Sequence, residues 1–161
     1  MYSSAPGWSG KVRFKAHGRF IPWQDASNQA CAYSRSMAAI RILIVDDFSR
    51  VREDLRTVLT LAGAEHRQPI EVVGEAATGL EALRLANTLQ PEVVLMDLEM
   101  PVMDGFEASR QIKACWPECR VIALTVHDYE TAQQKALSAG MEAFVVKGAP
   151  VEVLLQAIFE K

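Results

Sequence analysis

The sequence predicts an α/β fold: a doubly wound, five-stranded parallel sheet in the order 2-1-3-4-5, with helices on both faces. Three observations predict it. From Ile40 onward, strand and helix patterns alternate five times, which requires right-handed βαβ crossovers and a parallel sheet. Strands one, three and four are continuous apolar runs, as expected where helices cover both sides. The second strand carries polar Glu71 and Glu75 and reads as an edge. The strand order then reverses between strands one and three, where open sheets of this kind bind ligands.

Each element has its own signal. The first strand is Ile40–Val45, and its helix starts near Ser49 with Val51, Leu55, Val58, Leu59 and Ala62 on one face. Gly63 serves as its stop signal. The second strand is Ile70–Ala76. The second helix opens at a capping box, Thr78 with Glu81, carries Leu80, Leu83 and Leu89, and ends at Pro91. The third strand covers 93–96. Asp104 and Glu107 form another capping box for a third helix reaching about Cys115, ahead of Pro117. Arg120–Thr125 is the fourth strand. The fourth helix covers 129–139, with Gly140 as its cap. It has a polar face (Gln133, Gln134, Lys135) and modest core anchors in Ala132, Ala136 and Leu137. The fifth strand covers 143–147. Pro150 suits a first helical turn, and Val151, Leu154, Leu155, Ile158 and Phe159 form the apolar stripe of the last helix.

Composition narrows the function classes. Within 161 residues of net charge −3, residues 1–36 carry Lys11, Arg13, Lys15, Arg19 and Arg35 against Asp25, a net +4, which leaves −7 for the rest. An acidic domain is a poor direct nucleic-acid binder, because such affinity comes from neutralising phosphates. It suits a divalent cation. Residues 1–36 lack any periodicity and are expected to be a disordered extension, with Met37 opening a compact domain over 37–161. Neither a run of about 20 apolar residues nor a signal-peptide core is present, so no membrane role is expected. Cys31, Cys115 and Cys119 are odd in number and irregularly spaced, which is no disulfide framework. Cys115 and Cys119 have no nearby histidine to suggest zinc. A reduced, cytoplasmic protein is the expectation.

Four apolar runs end on residues able to handle a phosphoryl group: Asp46-Asp47, Asp97, Thr125 and Lys147. A parallel sheet gathers its strand C-termini on one edge, so these groups should converge. Packed carboxylates repel unless a cation is present, and Mg²⁺ takes such oxygen ligands while keeping waters. An aspartate can itself be the nucleophile, giving an aspartyl-phosphate. Asp97, ending the central strand, is the best candidate. Thr125 can donate to a phosphoryl oxygen, and Lys147 can pair with that group or with Asp97. Taken singly, Asp46 or Asp47 could merely cap the helix near Ser49, and Lys147 could be solvated.

From about Arg41 to the C-terminus, the chain resembles the receiver domain of two-component response regulators, a flavodoxin-like fold also described as CheY-like. The resemblance rests on Ile42-Leu43-Ile44-Val45-Asp46-Asp47, the stretch from Leu95-Met96-Asp97 to Met103-Asp104-Gly105, Ala123-Leu124-Thr125, and Phe144-Val145-Val146-Lys147. It implies that Asp97 accepts phosphate from a histidine kinase or phosphotransfer protein. It implies Mg²⁺ held by the Asp47 and Asp97 side chains, by the Glu99 backbone carbonyl and, through water, by Asp46. It further implies Thr125 and Phe144 as a coupled switch pair, with Glu99 and His127 affecting phosphate lifetime. Phosphate would draw the Thr125 hydroxyl inward and free space for the Phe144 ring, biasing the face formed by helix four, strand five and helix five.

This sequence departs from the family's common pattern at two places. Gly148 stands where many members have a proline, and Val126 is bulkier than the usual small residue. The run Leu124-Thr125-Val126-His127-Asp128 is similar to receivers of the LuxR/NarL type that precede helix-turn-helix output domains.

The function expected from these residues is a stand-alone, phosphorylation-controlled signalling module. It would phosphorylate and dephosphorylate itself but would not otherwise be an enzyme. Its outputs would be an unidentified protein partner or a homodimer through the switch face. One alternative is a truncated receiver of a longer DNA-binding regulator. Another is a flavin mononucleotide-binding electron carrier, for which Asp46-Asp47-Phe48 has the wrong charge. A third is an aspartyl-phosphate phosphatase, for which no substrate-covering domain is evident.

Overall fold

The computed structural model describes residues 38–66, 68–126 and 130–160. The extension over 1–36, the proposed start at Met37, Cys31 and His127 lie outside them. The element order is β1 (Ile40–Val45), α1 (Ser49–Glu65), β2 (Ile70–Ala76), α2 (Gly79–Leu89), β3 (Val93–Asp97), α3 (Gly105–Cys115), β4 (Arg120–Thr125), α4 (Glu130–Ser138), β5 (Ala143–Val146) and α5 (Val151–Phe159). All pairings are parallel, in the order β2-β1-β3-β4-β5. This is the predicted doubly wound topology.

The alternation of side chains along each strand sorts the core into two layers. Leu43, Val45, Val94, Met96, Val121 and Ala123 face α2, α3 and α4, which contribute Ala82, Ala86, Ala108, Ile112 and Ala136. Ile42, Ile44, Val93, Leu95, Ile122, Leu124 and Val145 face α1 and α5, which contribute Leu59, Leu154 and Ile158. Both sides of the three inner strands are therefore dry, which is why their sequences read as unbroken apolar runs.

One irregularity breaks the pleat. Ile42 pairs with Val72 and Leu43 with Gly74, leaving Val73 as an extra residue in β2. A bulge of this kind reverses the face of everything after it. Ile70 and Val72 pack with the α1–α5 layer, whereas Ala76 belongs to the opposite layer. A Cβ on Gly74 would likewise meet Leu89 and Leu43 of that opposite layer. Glu75 is thereby turned toward α1, where it pairs with Arg52 at 3.3 Å and Arg56 at 2.6 Å.

The helix signals hold with corrections. Thr78 accepts from the Glu81 amide at 3.2 Å, while the Glu81 carboxylate reaches back to the Ala77 amide at 3.0 Å. Asp104 accepts from the Glu107 amide at 2.8 Å. The Glu107 carboxylate instead engages Arg110 and Gln111, so that box is one-sided. Gly140 closes α4 at φ +81°, with Met141 N–H donating to Ala136 O at 3.1 Å and Gly140 N–H to Leu137 O at 3.0 Å. This is a Schellman motif. Gly63 is not a stop, since α1 continues to Glu65. Gly63 is needed for packing instead, because a Cβ there would lie 2.9 Å from Ile70 Cβ. Leu137 is exposed rather than an anchor, and Leu80 is exposed too, the buried contacts being made by smaller alanines that let the helices sit close to the sheet. Among the described residues, no helix is long and apolar enough to cross a membrane.

Candidate functional site

The C-terminal edge of the sheet assembles the predicted residues. Asp46 and Asp47 follow β1, Asp97 is the last residue of β3, Thr125 the last of β4, and Lys147 follows β5. Because β1 and β3 are neighbours, their acids meet at the switch in strand order. One carboxylate oxygen from each of Asp46, Asp47 and Asp97 lies within 4.8 Å of the others. Asp46 is fully buried, and Asp97 and Thr125 nearly so.

Lys147 supplies the positive charge. Its Nζ stands 2.6 Å from Asp46 Oδ2 and 3.0 Å from Asp97 Oδ2. Asp46 Oδ1 accepts the Phe48 N–H at 3.0 Å, and Asp97 Oδ1 accepts the Glu99 N–H at 3.3 Å. Phe48 is the N-cap residue of α1, and its side chain makes no capping hydrogen bond. Neither Asp46 nor Asp47 is therefore a helix cap. Among the described residues, Asp47 Oδ1 is buried without a hydrogen-bond partner, a costly arrangement for a carboxylate.

The electrostatics follow from three acids sharing one ammonium. Burial pushes the Asp97 carboxyl above its ordinary value, Lys147 opposes that shift and Asp46 adds to it. Burial pulls the Lys147 ammonium down, but Asp46 and Asp97 together outweigh it and leave Lys147 above its ordinary value. A hard divalent cation suits a site of clustered carboxylate oxygens with one oxygen lacking a donor.

The loop after β3 is held close to the acids. Gly105 N–H donates to Leu98 O at 3.2 Å, and a Cβ on Gly105 would overlap the Asp97 carbonyl. Only glycine lets α3 begin there. Val102 takes φ +71°, and Met103 N–H donates to Pro101 O at 2.9 Å. These mark a γ-turn, a strained form for a β-branched residue. Glu99 and Val126 are exposed. Gly148 turns the chain after Lys147 at φ +89°, a path open to glycine.

Phe144 pairs with Ala123, and Val146 with Thr125. The pleat thus gives Phe144 and Thr125 the same sheet face, with Phe144 packed against the α2–α4 layer. Two contacts escaped sequence reasoning. One is Lys147 with Asp46. The other is Arg52, whose Nη1 donates to Asp46 O at 2.7 Å. A helix starting two residues after Asp47 does bring its first turn back beside the strand end, and that spacing was the available signal. A groove of about 860 Å³ lies at the opposite edge among Ile40, Pro91, Trp116 and Phe159. It takes no part in this site. Cys115 is exposed, and burial pushes the Cys119 thiol up to about 11, far from a reactive thiolate.

Comparison with known proteins agrees with this fold. Residues 42–159 match the family model described as the response regulator receiver domain. The response regulator GacA of Pseudomonas viridiflava is 37% identical over 119 residues, covering 74% of this chain and 53% of that protein. A LuxR-family two-component response regulator from Aurantimonas sp. has a crystal structure with TM-score 0.67 and 36% identity, covering 75% of this chain and 83% of that one. The chemotaxis protein CheY4 of Vibrio cholerae superimposes with TM-score 0.65 at 28% identity, covering 75% and 97%. The chain spans about half the length of the curated relatives it matches.

Proposed function

The chain belongs to the response regulator receiver domain family, and we propose that Asp97 is the residue on which it carries a phosphoryl group in two-component signalling. The observation that supports this most is the Lys147 ammonium shared between Asp46 and Asp97, beside an Asp47 oxygen lacking a donor. In the proposed step, an Asp97 carboxylate oxygen forms a bond to phosphorus as the P–N bond of a phosphohistidine breaks. The electron pair stays on the imidazole nitrogen. Lys147 then pairs with the transferred oxygens, and the Thr125 hydroxyl donates to one of them.

The Asp47 and Asp97 carboxylates and the Glu99 carbonyl would hold Mg²⁺, with Asp46 acting through water. The ion supplies neutralisation of the charge on the transferred group. Glu99, and His127 outside the described residues, set the lifetime of the phosphoryl group. Movement of Thr125 toward the phosphoryl group admits rotation of Phe144, and the α4–β5–α5 face changes its affinity for a protein partner or a second copy. The donor is a histidine kinase or phosphotransfer protein in the cytoplasm. Beyond its own phosphorylation and dephosphorylation this module performs no catalysis, and its acidic surface does not bind nucleic acid directly. The half-length match to its relatives favours a second reading, in which the receiver is part of a longer regulator whose other half delivers the output. A flavin carrier is disfavoured by family and site alike.

The test is labelling with acetyl phosphate and Mg²⁺. The wild-type chain should take up one acid-stable, base-labile phosphate, and Asp97→Asn none. Equal uptake by the variant would overturn the assignment.

A further inference from the structure

We propose that Arg52 is a positioning residue for the acidic pair, held in place by Glu75, so that the β2 bulge tunes cation affinity from behind the site. This rests on the reading of Asp46 and Asp47 as cation ligands. The chain of contacts is continuous. The extra residue Val73 turns Glu75 to the α1 side. Glu75 Oε2 holds Arg52 Nε at 3.3 Å, while Oε1 holds Arg56 at 2.6 Å. Arg52 Nη1 donates to the Asp46 carbonyl at 2.7 Å, the peptide that joins Asp46 to Asp47. The Asp46 N–H is bonded to Ala76 O at 3.0 Å, and its side chain accepts from Phe48 N–H. Both backbone groups of Asp46 are thus fixed, its N–H by β2 and its C=O by a side chain that β2 itself holds. Arg52 is largely buried, so its planar fork is already ordered toward both partners.

The sign of the effect separates positioning from simple charge. Arg52 is a cation near a cation site, and Coulomb's law alone says that removing it strengthens Mg²⁺ binding. Positioning says the reverse, since partners that orient metal ligands typically contribute roughly 10–100-fold in affinity.

The experiment is calorimetric titration of the full chain with MgCl₂, alongside melting in EDTA. Arg52→Ala should weaken Mg²⁺ binding by roughly 10-fold or more. Arg52→Lys keeps the charge but cannot bridge Glu75 and the Asp46 carbonyl together, and it should also weaken binding. Arg56→Ala removes an equal charge from the same carboxylate without touching Asp46, and it should not weaken binding. Amide resonances of Phe48 and Asp47 should shift in Arg52→Lys and stay in Arg56→Ala. Should Arg52→Ala fail to fold, Arg52→Lys decides. Unchanged or tighter Mg²⁺ binding in both Arg52 variants, or a lower melting temperature with an unaltered dissociation constant, overturns the inference. Failure of the wild-type chain to bind Mg²⁺ would instead overturn the functional reading beneath it.

Discussion

Lys147 Nζ lies nearer to Asp46 than to Asp97, 2.6 Å against 3.0 Å. The sequence pointed to Asp97 as the partner of this lysine, yet the fully buried Asp46 takes the shorter contact. Lys147 therefore serves two purposes. It neutralises a structural charge at the end of β1 and stays within reach of the acid that would carry phosphate.

Replacing Lys147 with methionine leaves two buried carboxylates without a cation. Removing one member of a buried pair strands the other charge, at a cost of about 3 kcal/mol. Urea denaturation in EDTA should show that loss near neutral pH. Because Asp46 and Asp97 raise the lysine above its ordinary 10.5, its stabilisation is fully present below that pH. It disappears as the pH climbs through the raised value. The wild-type advantage should therefore shrink only in strong alkali, and a difference that is already gone at neutral pH would exclude the pairing.

Asp97→Asn should melt higher than the wild-type chain when no divalent cation is present. Burial holds the Asp97 carboxyl above its ordinary 3.8, so the folded state binds more protons than the unfolded state in the interval just above that value. Stability then falls as pH rises through the interval, and ionised Asp97 is a net cost at neutral pH. Asparagine removes the cost, while Lys147 keeps its closer partner Asp46. The gain should be absent below the interval and full above it, and saturating Mg²⁺ should diminish it. Equal melting temperatures across the pH range would show that Asp97 ionises without penalty.

Much of this architecture was legible because its determinants are local. Apolar runs of four to six residues ending in Asp47, Asp97, Thr125 and Lys147 state both the strands and the edge on which they finish. Thr78 and Asp104 mark helix starts through their own hydrogen bonds. Where the determinant lies elsewhere in the chain, the sequence is silent. Val73 is as good a strand residue as its neighbours, so nothing local marks the bulge that turns Glu75 toward Arg52. Gly63 satisfies the rule for a helix stop, but its cause lies in the next strand, where Ile70 presses against it. Leu137 looked like an anchor until the register of α4 put the smaller Ala136 inside.

Gly105→Ala should damage both the fold and the site. A Cβ at that position runs into the Asp97 carbonyl and lies 2.9 Å from Leu98 Cα. Both neighbours are backbone at the end of a central strand, with no flexible tip to give way. Overpacking of this kind costs about 3 kcal/mol. Acetyl phosphate labelling should fall with it, since the displaced atoms belong to the peptide that follows the acceptor. A Gly105→Ala protein with wild-type stability and labelling would show that α3 can shift outward freely.

Phe144→Ala separates the chemistry from its consequence. The ring is half-buried against the α2–α4 layer and shares a sheet face with Thr125 through the β4–β5 register, but it is not among the residues whose oxygens cluster at the acids. Truncation should cost about 2 kcal/mol of stability and leave Mg²⁺ affinity and acetyl phosphate labelling near wild type. Beryllofluoride with Mg²⁺ gives a stable mimic of the phosphorylated state for amide spectra. In the wild-type chain, its effect should extend from Phe48 and Glu99 out to α4. In the variant, the shifts at Phe48 and Glu99 should persist while those along Ala132–Leu137 fade. A rotating ring couples the site to that helix only if α4 responds less once the ring is gone, so identical α4 shifts in the two proteins would reduce Phe144 to ordinary core packing.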